Sequence, residues 1–137
     1  MILSILLCIL FVGIALIHFH WALGGAFGLN QCLPKKANGE LLFHLKKRDS
    51  ALVGFGFILL AIFYWVRSGL LEHNIPDEVI KYGSWSIPII FLLRAIGEFK
   101  YVGFLKKIKD TEFGKWDSQL LSPLCLLIAL CGLFIQI

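Results

Sequence analysis

The sequence predicts an all-α fold, an integral membrane bundle of four transmembrane helices. Of its 137 residues 58% are hydrophobic and 16% are charged, with a mean hydropathy of +0.82. A soluble domain is about half apolar and about a quarter charged. The apolar residues also gather in four long runs, which favour helices because backbone groups in lipid must be satisfied within the segment. The chain is too short for several domains, so we expect a single membrane domain over residues 1–137.

The first two predicted helices cover about residues 2–23 and 50–71. The segment Met1–Ile17 has no ionisable side chain. It lacks both a basic start and a small-residue cleavage site after it, so we interpret it as a retained helix rather than a signal peptide. The uncharged run Ser50–Val66 forms most of the second. With their flanks, both reach the roughly 20 residues that a helix needs to cross the hydrocarbon.

The last two predicted helices cover about residues 82–105 and 118–137. The third begins with the uncharged run Tyr82–Leu93 and then turns polar on one side. The fourth has no charged side chain. Ser122 and Pro123 resemble an N-cap followed by a proline at the first helical position, which places Asp117 in the turn before the helix.

Lysine and arginine predict the orientation of the bundle in a cell membrane. They are frequent in the loops 24–49 and 106–116 and scarce in the loop 68–81. The positive-inside rule therefore puts the two basic loops in the cytoplasm and both termini outside. Because the basic residues lie beside apolar runs, we expect anionic membrane lipids as partners and no nucleic acid. Association with further copies of the chain stays open.

This topology brings the unusual polar residues to the cytoplasmic half of the bundle. The predicted cluster contains His18, Trp21, Arg94, Glu98, Tyr101 and Asp117. A charge near the bilayer centre costs about 2.5–3.5 kcal/mol on insertion scales, so Arg94 should face the interior and hold a carboxylate. Glu98 is the candidate partner along the same helix, and Asp117 is the candidate across helices.

No motif in the sequence assigns a reaction, a cofactor or a metal. The four cysteines contain no C-x-x-C pair. His18 and His20 are two residues apart, so their imidazoles point from different faces of a helix. We also expect Gly24, Gly25 and Gly97 to lie where backbones approach closely, since only small residues permit it.

Three segments carry a family resemblance that spans nearly the whole chain. They are residues 18–25, residues 94–104 and Asp117 through Cys125. Together they resemble a family of small bacterial membrane proteins catalogued as domain of unknown function 3995. The resemblance implies four helices in a bacterial cytoplasmic membrane and implies no activity. The motif positions are His18, Trp21, Gly24, Gly25, Arg94, Gly97, Glu98, Tyr101, Gly103, Asp117 and Pro123, whereas His20 is at a position expected to vary.

Three functional hypotheses remain open at this point. The first is a module that binds or passes a small polar ligand, a lipid headgroup or a proton in the polar cluster. The second is an intramembrane enzyme acting on an amphiphile, with His18 as acid and base and Arg94 holding an anionic group. The third is a structural or accessory membrane subunit without a ligand. We rank the binding module first, because nothing resembles a nucleophile motif or a phosphate loop.

Overall fold

The computed structural model describes residues 1–25, 38, 40, 46–97, 103, 105–107 and 112–136. Its helices are α1 (Ile2–Ala22), α2 (Lys47–Arg67), α3 (Asp77–Ile96) and α4, which consists of Glu112–Trp116, a π-helical turn Asp117–Leu121, and Ser122–Phe134. No strand occurs among the described residues. All four helices are long and apolar enough to cross a membrane. The predicted fold class is confirmed.

Local chemistry explains where the helices begin. At the start of α2 the backbone N–H of Lys46 donates to Asp49 Oδ2 at 3.3 Å, which ties the first turn together. Helix α3 follows directly on Pro76, and Asp77 and Glu78 occupy its first turn. Negative side chains there interact favourably with the positive end of the helix dipole.

The predicted bounds of the third helix, 82–105, were wrong at both ends. The helix begins at Asp77 because Pro76 and the acidic first turn favour a start there, where the sequence analysis assigned the charges to a loop. It ends at Ile96 because Gly97 adopts φ 88°, a conformation that stops a helix and suits glycine. Glu98, the next residue, lies outside the described residues.

The predicted start of the fourth helix at residue 118 was also wrong. The chain is helical from Glu112, and Asp117 lies inside the helix rather than in a turn before it. Pro123 has no backbone N–H, and its ring crowds the preceding turn. A wider π turn just before it accommodates the proline: the N–H of Ser122 reaches back five residues to the carbonyl of Asp117.

The helices pack as two pairs around an aromatic core. Helix α1 packs along α2, α3 packs along α4, and α1 also contacts α4. Phe11 is fully buried, and its ring lies 5.9 Å from Phe57, 5.7 Å from Tyr64 and 5.5 Å from Phe91. These rings join α1, α2 and α3 at mid-length. Below we call the end of the bundle beyond Phe91 the Asp117 end and the opposite end the Arg67 end.

The outward faces of the helices are apolar. Leu16 is 60% exposed, Leu59 67%, Ile90 61% and Leu127 54%, one residue from each helix. Soluble monomers rarely expose contiguous apolar surface on all sides. The surface therefore suits a lipid environment, consistent with a multi-pass membrane protein.

Glycines permit close packing between helices at positions that the sequence analysis did not single out. A side chain on Gly54 would meet the Phe19 ring at 2.9 Å, one on Gly83 would meet the Phe63 ring, and one on Gly132 would meet Pro88. The three predicted glycines lie at helix ends, and of these Gly97 does lie at a close approach of two backbone segments, since a side chain on Gly103 would collide with its Cα. Gly24 and Gly97 have φ values of 96° and 88°, and Gly25 lies under the His20 ring.

Pro88 and Gln136 form a complementary pair between α3 and α4. Because Pro88 has no N–H, the carbonyl of Ser84, four residues earlier, lacks its usual helical donor. The side-chain amide of Gln136 donates to that carbonyl at 3.1 Å and to the carbonyl of Gly132 at 3.0 Å. Gln136 thereby satisfies a backbone group that the proline leaves open.

Candidate functional site

Asp117 is the centre of a buried polar network at the Asp117 end. Its side chain is fully buried. Oδ1 accepts from Arg94 Nη2 at 2.8 Å, and Oδ2 accepts from the backbone N–H of Gly103 at 2.7 Å and from Lys106 Nζ at 3.1 Å. Asp117, one of the two candidate partners for Arg94, makes an ion pair with it from the neighbouring helix. One carboxylate therefore joins α3, α4 and the segment between them.

Lys106 is a buried cation with all its protons used. Its side chain is 0% exposed, and Nζ also donates to the carbonyl of Gly103 at 3.0 Å and to the hydroxyl of Ser118. With Asp117 these acceptors occupy the three N–H donors of an ammonium group. Lys106 thus joins Gly103 to Asp117 and Ser118 in α4.

Gly103 packs where no other residue fits. Its φ is 90°, and a side chain there would collide with the carbonyl oxygen of Ile96 and the Cα of Gly97. The N–H of Leu105 also donates to the Ile96 carbonyl at 3.4 Å. Gly103 and Leu105 therefore lie against the end of α3, where the Gly103 N–H reaches Asp117.

The π turn aligns Asp117 with Ser122. The hydrogen bond from the Ser122 N–H to the Asp117 carbonyl places the two residues one turn apart. Both side chains are fully buried. Such turns occur often at functional sites, because the extra residue redirects side chains along one face.

Two polar atoms in this region lack a hydrogen-bond partner in the described structure. They are Nη1 of Arg94 and the hydroxyl oxygen of Ser122, and both atoms are buried. The Arg94 side chain as a whole is 32% exposed. An unsatisfied buried donor costs about 1–3 kcal/mol, and more when it is charged. The polar atoms of Asp117 and Lys106 therefore have hydrogen-bond partners, whereas Nη1 of Arg94 and the hydroxyl of Ser122 have none among the described residues.

His18 and Trp21 are in ring contact on α1. Their rings lie 4.9 Å apart, edge to face, and His18 also lies 5.3 Å from Phe57. Nδ1 of His18 donates to the carbonyl of Ile14, one turn earlier, at 2.9 Å. Phe57 in turn lies 6.4 Å from Phe91, which precedes Arg94 by one helical turn. Ring contacts thus lead from His18 through Phe57 to Phe91, one turn before Arg94.

The described structure accounts for four of the six predicted site residues. Arg94 and Asp117 are hydrogen-bonded, and His18 and Trp21 are in ring contact. Glu98 and Tyr101 lie outside the described residues. No three His, Cys, Asp or Glu side chains among the residues that are described come together as metal ligands.

Sequence reasoning missed Lys106 and Ser122. Lys106 is followed by Lys107, and both contributed to the basic loop, yet Lys106 is buried and Lys107 is exposed. No local pattern distinguishes the two. Ser122 did carry a signal, the following proline, which we interpreted as a helix start rather than as a π turn.

The match to known families agrees with the resemblance seen in the sequence. No protein of curated function and no solved structure matches this chain. The family DUF3995, described as "Protein of unknown function", matches residues 11–132, a range that includes Arg94, Asp117 and Ser122. The chain therefore belongs to the DUF3995 family.

Proposed function

We propose that this chain is a membrane protein that binds or passes a small polar ligand, a lipid headgroup or a proton beside Arg94. The observation that carries the proposal is the buried Nη1 of Arg94, which has no acceptor among the described residues. A guanidinium nitrogen can only donate, so what completes it must offer an oxygen or another acceptor. The unpartnered hydroxyl of Ser122 on the facing helix supplies a second polar group.

The charges of the network favour an anionic acceptor. Arg94 and Lys106 carry two positive charges against the single negative charge of Asp117. One further negative charge would balance them in a setting where unpaired charge is expensive. Glu98, four residues after Arg94, is the competing internal source of that charge, and the experiment below therefore includes it.

A purely structural role is the second candidate. Asp117 accepts three hydrogen bonds from three parts of the chain, as expected of a group that ties helices together. The intramembrane enzyme ranks behind both. Nδ1 of His18 donates its hydrogen bond to the carbonyl of Ile14 on its own helix.

The test is an unbiased mass-spectrometric search for molecules that co-purify with the protein. Arg94→Gln is a fair variant, because Asp117 keeps its bonds to Gly103 and Lys106. Arg48→Gln, at a side chain 77% exposed, is the matched control. We expect a polar molecule with the wild type and with Arg48→Gln that is lost in Arg94→Gln. Retention of the molecule in Arg94→Gln would contradict the proposal. The proposal would also be contradicted if Glu98 supplies the negative charge instead of a ligand. In that case adding the molecule leaves the stability of the wild type unchanged, and Glu98→Gln strongly destabilises the protein.

Ser122→Ala separates ligand binding from structure at the same site. If the hydroxyl contacts a bound molecule, the variant binds it more weakly than the wild type. If the hydroxyl is simply buried without a partner, its removal leaves binding unchanged and increases thermal stability, since an unsatisfied group is deleted. The second result would favour the structural candidate.

We further propose that the Asp117 end faces the cytoplasm, with both termini outside. The support is the excess of Lys and Arg in residues 24–49 and 106–116. A reporter active only outside the cytoplasm should give a signal when fused at Ile137 and none when fused after Lys47. The reverse pattern would refute this orientation.

A further inference from the structure

Arg67, at the end of the bundle opposite Asp117, is a cation without an ion pair among the described residues. It is the last residue of α2 and is half-buried. Its Nε donates to the hydroxyl of Ser84 on α3 at 3.2 Å. Among the described residues no carboxylate lies within 4.0 Å of it, although Glu72, Asp77 and Glu78 belong to the same end. The Ser84 contact therefore fixes the guanidinium, and its two terminal amino groups have no hydrogen-bond partner among the described residues.

Lys81 adds a second cation next to Ser84. It lies three residues before Ser84 on α3, so the two side chains emerge from neighbouring positions on one face of the helix. Lys81 is exposed, and it too has no ion pair in the described structure. The guanidinium and the hydroxyl are thus in contact between α2 and α3, and a lysine occupies the helix position one turn before the serine.

Exposed aromatic residues indicate the depth of this point. Trp65 is 40% exposed, Tyr82 70% and Trp85 49%, and all three belong to the last turn of α2 or the first turns of α3. Tryptophan and tyrosine concentrate at the boundary between hydrocarbon and headgroups. Arg67 and Lys81 therefore lie at the depth of lipid phosphates when the four helices span a bilayer.

We propose that Arg67, Lys81 and Ser84 bind the phosphate group of an anionic phospholipid in the leaflet at the Arg67 end. Arginine offers a planar fork that matches two phosphate oxygens, and lysine offers a point charge to a third. The hydroxyl of Ser84 holds the guanidinium of Arg67 in position for the phosphate. This site is separate from the Arg94 region and does not depend on what binds there.

The experiment measures lipid adducts by native mass spectrometry of the full chain released from detergent. Three additives are compared: phosphatidylglycerol, a diacylglycerol with the same acyl chains, and inorganic phosphate. We expect phosphatidylglycerol adducts and no comparable diacylglycerol adducts. If inorganic phosphate forms adducts and phosphatidylglycerol does not, the site takes a free anion, and the proposal of a lipid ligand is overturned.

Two variants of equal charge locate the site. Arg67→Gln/Lys81→Gln should weaken phosphatidylglycerol binding about tenfold or more, the loss expected for charge-assisted hydrogen bonds. Lys47→Gln/Arg48→Gln removes the same charge from exposed positions at the other end and should leave this binding nearly unchanged. Equal losses in both variants would show non-specific attraction and overturn the proposal. Lys81→Gln alone, at an exposed and unpaired side chain, should still reduce binding, so the result does not rest on how Arg67 variants fold.

Discussion

Asp117→Asn tests whether the buried network holds the Asp117 end together. The substitution keeps the shape of the side chain and removes its charge. It replaces one of two carboxylate oxygens, which accept from Arg94, Gly103 and Lys106, with an amide that donates. At least one of these donors therefore loses its acceptor.

The magnitude depends mainly on Lys106. The Arg94 side chain is 32% exposed and remains partly hydrated when its partner changes, whereas that of Lys106 is 0% exposed. Leaving a buried charge without its counterion costs about 3–5 kcal/mol. We therefore expect Asp117→Asn to shift the unfolding equilibrium by about two to four powers of ten.

The assay is equilibrium unfolding in mixed detergent micelles, followed by helix content. Glu72→Gln, at an exposed acid in the loop after α2, is the control for loss of one negative charge. The double variant Asp117→Asn/Lys106→Met should cost less than the sum of its single variants, because it also removes the stranded cation. If Asp117→Asn stays within about 1 kcal/mol of Glu72→Gln, the network contributes little and the reasoning fails.

Two further predictions concern backbone positions. Gly103→Ala should destabilise the protein more than Gly69→Ala in the same unfolding assay. Both glycines have positive φ, but only at Gly103 would the new side chain collide with backbone atoms. Similar losses of stability in the two variants would contradict the packing described. Gln136→Leu should lower the free energy of unfolding by about 1–3 kcal/mol, because it leaves the Ser84 carbonyl unsatisfied. Adding Pro88→Ala should recover part of this loss, because alanine restores the helical N–H that bonds to the same carbonyl. No recovery in the double variant would refute the pairing of Pro88 with Gln136.

The buried ion pair shows how far sequence alone predicts the site. A guanidinium among apolar residues needs a carboxylate, and the order of the helices left Glu98 and Asp117 as candidates for Arg94. The Asp117 partner followed from that argument and is present. The additional donors did not follow, because Gly103 and Lys106 reach Asp117 through a backbone path that depends on how the chain turns after Gly97.

Hydropathy determined the four-helix class, because apolar length and backbone hydrogen bonding leave few other folds in lipid. Helix ends and the fate of single polar residues were decided by tertiary structure. Gly97 ends α3, so the last helical residue is Ile96, two residues after Arg94. Hydropathy alone predicts a longer helix there. Lys106 is buried while Lys107 is exposed, because burial of a lysine depends on whether acceptors from distant residues converge on its ammonium group. That convergence exists only in three dimensions.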